Sequence, residues 1–157
     1  MKKIIIAVLI IAVLGVGYWL VSPLFIDKIV SEKLEDIMPE QMIPEAEAVV
    51  SNGSFSGLQG HNAQGTAKLL KINGKYFVRF EDDFRMTNGP DLFVYFGKDG
   101  KYAREAELGR LKGNIGGQNY EVPANLNPSD YNEVWVWCRA FSVAFGKAQL
   151  AAADAGQ

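Results

Sequence analysis

Cysteine and histidine are nearly missing from this chain of 157 residues: each occurs once, as Cys138 and His61. One cysteine cannot close a disulfide within the chain, and no Cys-x-x-Cys pair exists for dithiol exchange or covalent haem attachment. One imidazole cannot build a multi-histidine metal cluster. A surplus of charge of one sign is missing too, with 16 basic and 18 acidic side chains. Residues 1–44 hold 4 basic and 5 acidic residues, and the remainder holds 12 and 13. No basic stripe is hidden in either part, which excludes nucleic acid as a partner. Glycine is plentiful, yet no Gly-rich loop follows a strand and opens a helix, so phosphate cradling has no basis. Nothing around a serine marks a nucleophile elbow that would work with His61. Internal repeats and low-complexity tracts are absent as well.

Long apolar runs are scarce: there is one. Met1-Lys2-Lys3 precedes a run from Ile4 to Ile26, broken only by glycines, Ser22 and Pro23. That length suits a crossing of a ~30 Å hydrocarbon core. The two lysines ahead of it favour a cytoplasmic N-terminus and an exported remainder, and Tyr18 and Trp19 suit the outer interface. Gly15-Val16-Gly17 offers a weak signal-peptide cleavage site. Because the chain stays apolar past it, a retained signal-anchor is the expectation, placing the protein as a single-pass membrane protein with its domain outside the cytoplasm. Residues 1–26 are therefore read as the anchor.

Residues 27–48 are read as a stalk helix and linker. Ile29, Val30, Leu34, Ile37 and Met38 form one apolar stripe at helical spacing, and Pro39 and Pro44 then break the helix. From 49 to 150 short β-prone runs alternate with Gly, Asn and Asp. Asn73-Gly74 between Lys68–Ile72 and Lys75–Phe80 is the strongest hairpin signal, and Asp99-Gly100 marks a second tight turn. Leu92–Phe96, Gln118–Val122, Glu133–Cys138 and Phe141–Phe145 read as further strands. About seven or more short strands imply an all-β fold, a small antiparallel sandwich or barrel-like domain. The Ala-rich end, with a trace of helical period from Lys147 to Ala153, is expected to finish in a frayed tail at 151–157.

Glu81-Asp82-Asp83, with Asp91 nearby, could supply oxygen ligands to calcium, but a solvated strand end entering a turn accounts for them more simply. Asn88-Gly89-Pro90-Asp91 reads as a turn that launches the next strand. Trp135 and Trp137 share one face of a strand, with Val134, Val136 and Cys138 on the other. Core packing explains the two indoles better than an open stacking platform does. A single cysteine in an exported chain is buried and inert, paired with another chain, or used as a thiolate. Alternation with Val134 and Val136 fits inert packing. Arg139, if folded back, would stabilise a thiolate. Both readings stay open on the residues alone.

Four ordered blocks resemble the DM-thirteen domain, the small cysteine-containing domain associated with DOMON domains and Skeletor proteins. They are GSFSGLQGHNAQGTAKL (53–69), FEDDFRMTNGPDLFVYF (80–96), LGRLKGNIGGQNYEVP (108–123) and VWVWCRAFSVAFGKAQL (134–150). The resemblance implies an all-β extracytoplasmic domain with an electron-transfer or redox role. It also implies that Cys138 acts as a bare thiol or holds a prosthetic group such as haem, with His61 as second ligand or proton donor and a redox protein as partner. The alternative is a non-catalytic interaction module in which Cys138 is structural. Enzyme activity in the strict sense has no direct support.

Overall fold

Asn73 and Gly74 both adopt positive φ, 51° and 77°, as a two-residue hairpin turn with native strand twist demands. In the computed structural model they join β3 (Thr66–Ile72) to β4 (Lys75–Phe80) in the register Ile72↔Lys75 to Ala67↔Phe80. Asp99 and Gly100 do the same, at φ 53° and 80°, between β6 (Leu92–Lys98) and β7 (Lys101–Arg110). The structure describes residues 2–22, 25–37 and 47–153, with the backbone alone at 19, 20, 47 and 48.

The remaining strands are β1 (Glu47–Gly57), β2 (Ala63–Gln64), β5 (Arg85–Met86), β8 (Gln118–Glu121), β9 (Glu133–Cys138), β10 (Val143–Gln149) and β11 (Ala151–Ala152). The main sheet runs β7-β6-β9-β10-β1-β3-β4-β8, with every pair antiparallel. Long β1 serves both halves: residues 47–54 pair with β3, and Phe55–Gly57 pair with β10. The result is one all-β, nearly closed, barrel-like sheet, in keeping with the strand pattern of the sequence. Its interior holds Phe55, Phe80, Phe84, Phe96 and Tyr120 with Val78, Val94, Val134 and Val136. Each fully buried large side chain contributes roughly 1.5–3 kcal/mol.

Three expectations are corrected. The stalk helix does not form over the described part of residues 27–48. Asp27 to Leu34 is without helix and lies along the 113–117 loop; only Glu35–Ile37 makes a turn of 3-10 helix. Its backbone bonds go outward, Val30 N–H to the Ile115 carbonyl at 2.9 Å and Glu32 N–H to the Gly117 carbonyl at 3.0 Å. A helix this short is marginal in water, whereas the extended strap finds partners for its amides. Leu34 and Ile37 still bury apolar surface, against Leu70, Ile72 and Phe77. Pro39 and Pro44 lie outside the described residues. The second correction concerns the tail: Ala151–Ala152 pairs with Ser51 and Asn52 rather than fraying, and Lys147 belongs to a strand. Third, the last long strand begins at Val143, because residues 139–142 turn, with Ser142 at φ 53° and Phe141 exposed.

Helix α1 (Lys2–Val21) forms over the apolar run. Its large apolar side chains from Ile4 to Val16 are 54–70 % exposed. Among the described residues no helix is long and apolar enough to cross a membrane, so the expected transmembrane span is not borne out by the described part of the chain.

Candidate functional site: the two faces of the Trp-Cys strand

Strand β9 lies between β6 and β10 and is covered on both sides, which explains why its sequence is apolar at every position but Glu133. Side chains two apart share a face. Val134, Val136 and Cys138 enter the interior cluster, while Trp135 and Trp137 join a second cluster with Tyr95, Tyr102 and Phe93.

Cys138 is fully buried, opposite Leu92 on β6 and Val143 on β10. No hydrogen bond links its thiol to His61 or Arg139 among the described residues. It borders none of five cavities formed by those residues. His61 is half-buried, its ring stacked on Phe145 at 3.6 Å and 10°. A sulfur closed in on every side and an imidazole lying flat on a phenyl ring do not fit a haem held between Cys138 and His61.

Arg139 is also turned away from the thiol. It continues the 135-137-139 alternation and so stands on the indole face. Its guanidinium lies 3.5 Å from the centroid of the Phe93 ring. Its Nε donates to the Tyr95 hydroxyl at 2.6 Å, and Nη2 pairs with Glu107. These partners take the place of the expected contact with the thiol: the guanidinium is paired with Glu107 and the Tyr95 hydroxyl. The Tyr95 hydrogen bond raises the Arg139 pKa further above its usual value. Burial holds the Tyr95 hydroxyl above its usual value against the opposing pull of Arg139, so the phenol is neutral at physiological pH.

What the sequence did not single out is the cavity that Arg139 helps build. Tyr95, Tyr102, Arg104, Glu107, Trp137 and Arg139 line an open cavity of about 420 Å³ on the outer face of β6, β7 and β9. Register makes it: Phe93 faces Trp137, Tyr95 faces Glu107, and Gly97 faces Tyr102. The Tyr102 and Trp137 rings stack at 4.3 Å and 26°, and Tyr95 meets Tyr102 edge-on at 5.2 Å. Trp137 is half-buried, unlike Trp135, which is buried with its Nε1–H on Glu133 at 2.9 Å. Core packing therefore describes Trp135 and only half of Trp137. The one readable signal was Arg139 at the same alternation as the two tryptophans; strand pairing was needed to add the β7 residues.

The acidic run is occupied by intramolecular contacts. Asp83 accepts from Thr66 N–H and Oγ1, both at 2.9 Å, and Glu81 pairs with Lys68 and Arg79 at 2.9 and 3.1 Å. No group of three metal-ligating acidic, histidine or cysteine side chains forms among the described residues. A family model described as Electron transfer DM13 matches residues 54–150. No curated protein and no solved structure matches the chain.

Proposed function

Because the chain belongs to the electron transfer DM13 family, we propose that it is a membrane-tethered, extracytoplasmic domain that exchanges electrons through its Tyr95–Tyr102–Trp137 face. A redox partner protein or small carrier docks there, and Cys138 packs the core behind it. The observation that carries this reading is the stacked Tyr102–Trp137 pair opening into the cavity. Tyrosine and tryptophan are oxidisable side chains, and a pair at 4.3 Å places one aromatic system against the next. The buried thiol lacks the access that thiol–disulfide exchange requires.

Support for the tether comes from the sequence, which stays apolar from Ile4 to Ile26, and from the outward-facing side chains of α1. Such exposure is costly in water and matched to lipid. The lysines at 2 and 3 favour a cytoplasmic N-terminus, hence an outward domain.

The test is electron paramagnetic resonance on the full chain in phospholipid vesicles, photo-oxidised by a ruthenium(III) complex and frozen. One electron leaves the protein for the metal complex. The expected signal is a tryptophanyl or tyrosyl radical that is lost in Trp137→Leu and Tyr102→Leu. A sulfur-centred radical, or a signal unchanged in both variants, contradicts the reading. A second reading, a cell-surface interaction module with a structural cysteine, shares the complete burial of Cys138 with the first. It predicts no radical at this face.

A further inference from the structure

We infer that the cavity between β6, β7 and β9 is a binding site for a flat aromatic anion of two or three fused rings, stacked on Trp137 and paired with Arg104. The purpose of such a site rests on the electron-transfer reading; its ligand chemistry is set by the walls. At about 420 Å³ the cavity falls within the range of small-molecule sites and matches a bicyclic or tricyclic ring system. Part of its lining is aromatic: Trp137, half-buried and stacked on Tyr102, presents its edge and remaining face to a planar guest, while the rest of the lining is polar.

The charge balance selects the sign of the guest. Two guanidiniums and one carboxylate line the cavity. Glu107 is committed to Arg139, which is further fixed by the Tyr95 hydroxyl and the Phe93 ring. Arg104 is exposed and has no hydrogen bond or ion pair among the described residues. One positive charge is therefore left over at the mouth, on a planar fork suited to a sulfonate, carboxylate or phosphate. Arg139 acts as a rigid strut: it sets the Tyr95 ring and closes off one side of the cavity, while Arg104 remains available.

Binding is measured by calorimetry on the full chain in neutral-lipid vesicles. The probes are naphthalene-2-sulfonate, which is not a redox carrier under these conditions, and the neutral 2-naphthalenemethanol. The sulfonate is expected to bind at least about tenfold more tightly than the alcohol, equivalent to about 1.4 kcal/mol. Arg104→Gln is expected to abolish that preference, with thermal stability unchanged because Arg104 holds no partner. Trp137→Leu is expected to weaken both probes. Equal affinity for the two probes, no binding of either, or a preference that survives in Arg104→Gln overturns the inference. Sulfonate binding without the photo-oxidised radical would leave this site standing and remove the electron-transfer reading instead.

Discussion

At residue 138 the core has room for a thiol and nothing to offer a hydroxyl. Cys138→Ser places an O–H among Leu92, Val136 and Val143 without a partner, at an expected cost of about 1–3 kcal/mol in urea unfolding. Cys138→Ala loses only a small buried group and is expected to cost less; equal or reversed costs would mean that the site is wetter or more polar than described. Glu133 makes the opposite case. Burial pushes its carboxyl pKa up, but hydrogen bonds from Lys147 and Trp135, the Lys147 charge and the Gly100 amide outweigh it and leave it below its usual 4.5. A carboxyl with a lowered folded-state pKa adds stability that is present above pH 4.5 and is lost as the pH falls through the folded value. Glu133→Gln is therefore expected to lower stability at pH 7 and to flatten the decline below pH 4.5 in chemical denaturation. A mutant with the wild-type acid limb would show that Glu133 does not govern it. Arg139 was legible as a functional candidate, but the fold-back that would bring it to the thiol is not the arrangement seen, with the guanidinium on Phe93 and Tyr95. Period-two alternation puts it with the tryptophans, and adjacency to Cys138 in sequence means the opposite face of the strand in space.

Elements built from local turn chemistry were the most readable. Asn73-Gly74 and Asp99-Gly100 announce their hairpins because the demand for positive φ is local. The strap at 27–34 was not readable as such, because its partners lie about 85 residues away and its apolar spacing imitates a helix. What receives it is the glycine-rich loop after β7. A Cβ on Gly113 would fall 2.4 Å from the Lys28 carbonyl oxygen, and one on Gly116, at φ 92°, would fall 2.1 Å from that of Val30. Around this backbone contact the Glu32 carboxylate takes Lys112 Nζ at 2.8 Å and the Asn119 N–H at 2.8 Å, and Arg79 donates to the Glu32 carbonyl at 3.0 Å. Gly116→Ala is expected to release the strap: the Val30 and Glu32 amides should exchange hydrogen far faster, with β9 amides still protected. By contrast Gly74→Ala, with open space around its Cβ, should cost about 1 kcal/mol through backbone strain alone and leave the strap protected. Uniform loss of protection in Gly116→Ala would make the loop part of the global core instead.

For the whole molecule, the strap fixes the segment from Asp27 to Leu34 against the barrel. A free stalk would let the barrel swing; a clamped one joins Asp27, through Asn114 and Asn88, to the loops beside Pro90 and Arg110. The all-β class and the nearly closed sheet were legible in strand spacing and turns, since both depend on local pattern. The aromatic cavity was not, because it is assembled across β6, β7 and β9 by register alone. The central claim is that electrons pass by the aromatic face and not by the thiol. Flash-photolysis rates of oxidation by a ruthenium complex, measured on the full chain in vesicles, test it most directly. Trp137→Leu should slow oxidation about tenfold or more, a barrier change of about 1.4 kcal/mol, while Cys138→Ala keeps the wild-type rate. A rate that falls in Cys138→Ala and holds in Trp137→Leu would contradict the account.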